Sequence, residues 1–168
     1  MKNALFSLIF SIFALSAWGQ KIAWVDSKYI LGKIPEYNQA QDQLNALSVQ
    51  WQGEVEALLS EVDAMRKALE AERILLTEEM QKDREAGIAT KEKEARDLQR
   101  KYFGPEGDLF KKRAELVKPI QDQLFNAVQD IALAKKYDAI FDKSGAVSML
   151  YAGERYDLSD DVLKKLGY

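Results

Sequence analysis

The side chains that could do chemistry here are carboxylates, because the chain contains neither histidine nor cysteine. That composition removes nucleophile–base pairs built on imidazole or thiolate, and nearly all zinc sites. Two acidic pairs stand out, Glu78-Glu79 and Asp160-Asp161, together with Asp26 and Asp142. Converging carboxylates could act as acid and base on a glycosidic bond or hold calcium, and either role needs a pocket. Adjacent residues of a helix point in different directions, so neither pair converges by itself. Both pairs instead fall where a helix would start, and negative charge there complements the helix dipole. Asp26 and Asp142 fall at the ends of expected strands and are expected near one another. No Gly-x-x-x-x-Gly-Lys-Ser/Thr loop offers itself to nucleotide phosphates. The chain is read as a non-enzyme without metal or cofactor.

The elements must then serve some purpose other than catalysis. Lys2, the apolar run Ala4 to Leu15 and the small residues of Ala17-Trp18-Gly19 have the order of a secretory signal cleaved near Gly19. The following residues, 20–168, have the length of one domain and hold no later run apolar enough to cross a membrane. Charged residues make up 30% of the chain at a net charge of −3. Opposite signs are mixed, which argues against a nucleic-acid partner. Without cysteine no disulfide can form, so packing, helped by oligomerisation, must hold the fold.

Lys21 to Asp26 is a short apolar run with β-branched and aromatic members, a buried strand. Ser27 is expected to cap a short helix through Leu31, and Ile34-Pro35-Glu36-Tyr37 to break it. From Asn38 the pattern changes: Leu44, Leu47, Trp51, Val55, Leu58, Val62, Met65 and Leu69 recur at steps of three or four. Apart from Val49 and Leu59, almost everything between them is polar, charged or Ala. So narrow a stripe is a coiled-coil seam, on a helix about 60 Å long. A second stripe runs through Ala95, Leu98, Tyr102, Leu109, Leu116, Ile120, Leu124, Val128 and Ile131. Two such seams in one chain face each other as an antiparallel hairpin. Its turn is placed at Leu75–Glu79, where Thr77 precedes two acids, with Gly87 as the alternative. Phe103-Gly104-Pro105-Glu106-Gly107 is a kink or short break, since the stripe continues past it. After Lys136 the period becomes strand-like over Tyr137–Asp142 and again over Ala146–Ala152, before Ser159 caps a closing helix over Asp160 to Leu166. The fold class is therefore α+β: a long antiparallel helical hairpin, residues 38–136, on a small β base from both chain ends, residues 20–37 and 137–168.

Laid out in this order, the chain resembles the Skp/OmpH family of periplasmic chaperones. Lys21-Ile22-Ala23-Trp24-Val25-Asp26 looks like the family's first strand, and Pro35-Glu36-Tyr37 like the start of its ascending arm. Tyr137-Asp138-Ala139-Ile140-Phe141-Asp142 and Asp157-Leu158-Ser159-Asp160-Asp161-Val162-Leu163 are similar to its closing strand and helix. The Phe103–Gly107 break and Pro119-Ile120-Gln121 resemble the version found in Bacteroidetes-type bacteria. The resemblance implies a periplasmic homotrimer whose pooled strands form one β-core and whose hairpins surround a cavity. It also implies an ATP-independent holdase that binds unfolded outer-membrane proteins and prevents their aggregation. One departure is visible: these arms are nearly balanced in charge, where the best-known members are strongly basic.

Such a holdase needs exposed apolar groups, and the candidates at the tip and break are Ile74, Leu75, Leu76, Met80, Ile88, Tyr102, Phe103 and Phe110. The plainer alternative is that they close the hairpin or fill its seam. Leu75 and Leu76 are singled out, because a narrow turn cannot easily bury both. Lys111, Lys112 and Arg113, with Arg100 and Lys101, form the densest basic stretch. It could meet an anionic surface, a membrane contact without integration, or be a solvated face paired with Glu106, Asp108 and Glu115. A structural or adaptor coiled coil of the cell envelope, without unfolded-client binding, is the competing function.

Overall fold

The computed structural model describes residues 20–145 and 149–168. The expected signal, residues 1–19, lies outside them, as do residues 146–148 of the expected last strand. The chain divides into two compact units, Ile34–Gln123 on one hand and the segments up to Lys33 and from Leu124 to Tyr168 on the other. The last turns of the second seam, residues 124–136, thus fall in the end unit.

In the end unit, strand β1 (Ile22–Val25) pairs in parallel with β2 (Ala139–Asp142), Ile22 opposite Ala139 and Val25 opposite Asp142. A parallel pair requires a long crossover, and the helical excursion between the strands supplies it. The opposite edge of β1 is bridged at Trp24 by Asp157, and the Leu158 N–H donates to the Trp24 carbonyl at 2.9 Å. With that edge taken, residues 149–152 of the expected last strand have no strand pairing, and the chain turns through a 3-10 segment, Glu154–Tyr156. Ala23, Trp24 and Val25 are all buried, which is why β1 reads as a continuous apolar run. Helices α1 (Ser27–Lys33) and α5 (Ser159–Leu166) pack on each other and bury Ile30, Leu31, Val162 and Leu163.

Both expected serine caps are corrected. Asp26 caps α1, its Oδ1 accepting from the Tyr29 N–H at 3.0 Å. Ser27 is the first helical residue, and its hydroxyl donates to Asp142 Oδ2 at 2.7 Å. Ser159 likewise begins α5 rather than capping it. Its Oγ accepts from the Asp26 N–H at 2.9 Å and donates to Asp157 Oδ1 at 2.6 Å. The Ser159 hydroxyl thus satisfies the Asp26 N–H at the end of β1, and the Ser27 hydroxyl adds to the donors on Asp142 at the end of β2.

In the hairpin unit, α2 (Pro35–Glu72) starts with Pro35 in its first turn, where a missing N–H costs nothing. A 3-10 turn, Arg73–Leu75, ends the ascent, and α3 (Glu78–Phe103) descends. Helix α4 (Asp108–Lys135) follows after a short break, carrying Pro119 inside it. The expected seam residues of α2, Leu44 to Leu69, are buried or half-buried. The two exceptions noted between them, Val49 and Leu59, are 69% and 48% exposed. On the descending side Ile88, Ala95 and Val117 are buried. Below the break, Ala40, Leu44 and Val117 form one cluster with Tyr37, Leu109, Leu116 and Ile120 against it. Cross-helix ion pairs, Arg66–Glu92, Lys91–Glu61 at 3.4 Å and Arg84–Glu72 at 3.5 Å, mark the antiparallel register. Such exposed pairs contribute about 0–1 kcal/mol each, so the apolar seam holds the hairpin and the charges choose its alignment.

Candidate binding surfaces

The tip is a built turn. Thr77 caps α3, its Oγ1 accepting from the Met80 N–H at 3.2 Å. The Gln81 side-chain amide donates to the carbonyls of Arg73 and Leu76, at 3.0 and 3.2 Å. These bonds occupy backbone groups that a helix end leaves unpaired. The turn that they fix holds Ile74 at 96% exposure and Leu75 at 84%. Leu76 is half-buried and Met80 exposed. Gly87, the alternative turn, lies inside α3, with its face toward the Met65 methyl.

The break is equally specified. The Gly104 N–H closes α3 on the Arg100 carbonyl at 2.8 Å, and the Gly107 N–H returns to the Gly104 carbonyl at 2.9 Å around Pro105 and Glu106. A Cβ on Gly104 would meet the Arg100 carbonyl oxygen at 2.4 Å. One on Gly107 would lie 2.7 Å from the Tyr102 carbonyl oxygen and 2.8 Å from that of Lys101. Glycine is thus required at both places by close approach rather than by left-handed backbone. Beside the break, the Tyr102 ring stacks on Trp51 with centroids 4.7 Å apart, and its hydroxyl donates to Glu54 Oε2 at 2.5 Å. The Tyr102 hydroxyl, with help from the Gln50 amide, holds the Glu54 carboxyl below its ordinary range. The same bond pushes the Tyr102 phenol up.

These positions sort the apolar candidates. Ile74, Leu75, Met80 and Phe110 are exposed. Leu76 and Phe103 are half-buried, Phe103 lying edge-on to Tyr102. Tyr102 is held in the Trp51 stack, and Ile88 is 7% exposed, so its side chain fills the seam and is not available at the surface. In the basic stretch Lys111 lies 4.0 Å from Asp108 and Lys112 2.7 Å from Glu115. Arg113 is exposed without an ion pair among the described residues.

The candidate carboxylates of the end unit are occupied structurally. Asp142 is exposed, but desolvation by its neighbours pushes its carboxyl up. The hydroxyl and N–H of Ser27 and the hydroxyl and N–H of Ser144 together outweigh that desolvation and hold it below its ordinary range. Asp160 accepts from the Tyr29 hydroxyl at 3.1 Å, and Asp161 pairs with Lys135 at 2.5 Å. No group of three or more acidic side chains that could hold a metal occurs among the described residues. Among them, too, no helix is long and apolar enough to cross a membrane.

One surface escaped the sequence reading. Beside β1 runs an open groove of about 1090 Å³, lined by Ile22, Trp24, Tyr137, Phe141, Tyr151 and Tyr156 among others. Ile22, Phe141, Tyr151 and Tyr156 are all exposed, Tyr151 at 87%. Lys21 lies over the Tyr137 ring and Lys143 over Trp24, 4.4 and 4.8 Å from the centroids. The signal available was the tyrosine density after Leu150, but the groove joins segments from both ends of the chain.

Comparison with known proteins follows the same outline. A family model described as "Outer membrane protein (OmpH-like)" matches residues 21–166. An uncharacterized protein of Aquifex aeolicus is 27% identical over 161 residues, 96% of this chain and 94% of that one. Among solved structures, a candidate OmpH-like outer membrane chaperone from Caulobacter crescentus superposes with a TM-score of 0.65 at 16% identity. That match covers 88% of this chain and 84% of the Caulobacter one.

Proposed function

Because the chain belongs to the OmpH-like family, we propose that it is a non-catalytic, ATP-independent holding chaperone of the periplasm, which keeps unfolded outer-membrane β-barrel proteins from aggregating. The observation that carries this reading is the division of apolar residues in the hairpin unit. One narrow seam is consumed in joining the helices, while Ile74, Leu75 and Phe110 remain on display. An unfolded barrel strand has alternate apolar side chains and unpaired backbone groups. Many weak apolar contacts would shield the side chains without imposing one conformation, and the exposed charges nearby would keep the assembly dispersed. Release would follow from the client's own folding in the membrane, which removes the apolar surface that the holdase covers.

The end unit supports assembly. A pair of four-residue strands gives little core, and exposed Ile22, Phe141 and Tyr156 offer apolar surface that a second and third copy would cover. The expected species is a homotrimer, and light scattering on the protein after signal removal checks it. A monomer at micromolar concentration would remove the enclosing cavity from the mechanism.

The decisive experiment dilutes a urea-unfolded barrel protein into buffer with a modest molar excess of this chain and follows turbidity. Holding predicts suppressed scatter for several unrelated barrel clients. No suppression, with stoichiometric binding to one folded envelope protein instead, would establish the adaptor role that the paired arm charges also suit.

A further inference from the structure

The tip of the hairpin carries more information than an apolar patch needs. Ile74 and Leu75 stand on a turn fixed by Thr77 and Gln81, so their presentation is preorganised. Around them the charges are unevenly spent. Arg73 lies 4.0 Å from Glu70 and Arg84 3.5 Å from Glu72, so each nearby arginine already faces a carboxylate. Glu78, Glu79 and Asp83 are exposed and make no ion pair among the described residues, and Lys82 is the one cation interspersed with them. The N-terminus of α3 offsets only about half a unit of that negative charge. The apolar crown therefore sits in a collar of net negative charge.

The geometry points to a tip that selects, among unfolded apolar segments, those flanked by lysine or arginine, and discriminates against acidic ones. This rests on the holding function proposed above and names the client segment that the tip prefers. Apolar contact with Ile74 and Leu75 supplies the affinity, and the collar supplies selection and faster encounter. The same collar repels anionic lipid, so the occupant is a basic polypeptide segment and not an anionic membrane surface.

The test uses the full chain and two fluorescein-labelled peptides with the same alternating apolar core, one flanked by lysines and one by glutamates, read by anisotropy. At about 20 mM salt the lysine-flanked peptide should bind about tenfold more tightly, and at about 500 mM salt the two should converge. Ile74→Ser with Leu75→Ser should weaken both peptides. Glu78→Gln, Glu79→Gln and Asp83→Asn together should erase the preference and leave the apolar affinity. All these side chains are exposed, and circular dichroism confirms that the variants remain helical. Equal binding at low salt, or a preference that survives the triple neutralisation, overturns the inference. So does binding to phosphatidylcholine vesicles that the Ile74 and Leu75 variants lose while neither peptide binds. Suppressed client aggregation without charge preference removes this inference alone, whereas loss of suppression as well removes the holding function beneath it.

Discussion

In the hairpin unit the buried residues form a line; in the end unit they form a knot. Ala40, Leu44, Val55, Val62, Ile88 and Ala95 are spaced along two helices, with exposed polar positions between them. Ile30 and Val162 of the end unit have no measurable exposure at all, and around them polar side chains tie strand ends to helix starts. A line can lose one contact and keep its neighbours, so a hairpin of this kind bends and frays locally. A knot loses its order together. The difference assigns compliance to the hairpin and permanence to the end unit, as the holding function proposed above would require.

The most forceful way to break this contrast is Ile30→Ala. It should cost about 3–4 kcal/mol and lower the urea midpoint of the end unit sharply. Val55→Ala in the seam should cost about 1–2 kcal/mol, because it removes less apolar surface from a thinner core. Equal losses would erase the distinction. Next comes Gly107→Ala, whose new methyl would press on three backbone atoms within 3 Å. A cost of about 2 kcal/mol is expected, with hydrogen exchange rising on both sides of the break. Unchanged exchange would mean that the break is not a tightly built joint.

Acid offers a subtler probe of the knot. Asp142 has its folded-state pKa lowered, so its contribution is present above the unfolded-state value and is lost as pH falls through the folded one. Urea midpoints followed from neutral pH down to about pH 2 should decline, and Asp142→Asn should start lower and decline less steeply. The smallest effect belongs to Gly87→Ala. A Cβ there meets only the flexible end of Met65 at 3.6 Å, so replacing a helix-interior glycine should stabilise the hairpin by up to about 1 kcal/mol. Thermal unfolding of the variant measures it.

Much of the hairpin was legible because helical period survives in sequence. The steps from Leu44 to Leu69 marked the seam, and Thr77 before Glu78-Glu79 marked the turn. The break could be seen but not its construction, since nothing in Phe103–Gly107 alone says that Gly107 is buried under two carbonyls. For Ile88 both a tip contact and a place in the seam were open from sequence, and the α3 helix, which runs through Gly87, turns its side chain inward. The caps failed for a longer-range reason. Asp26-Ser27 offers two capping residues in a row, and only the position of Asp142, more than a hundred residues away, decides which of them is used. The aromatic groove was invisible because Ile22 and Phe141 become neighbours only when the strands pair.

That pairing bears on how the protein comes into being. Ile22 finds Ala139 only after the whole helical excursion has been made, so the earlier strand waits with unpaired backbone groups and apolar side chains while the later one is still being synthesised. The hairpin has its contacts close at hand and can zip first, drawing the two strand segments toward each other. A protein proposed to shield half-finished β-strands therefore passes through a half-finished β-strand of its own, and shortening the chain before Ala139 would leave it there.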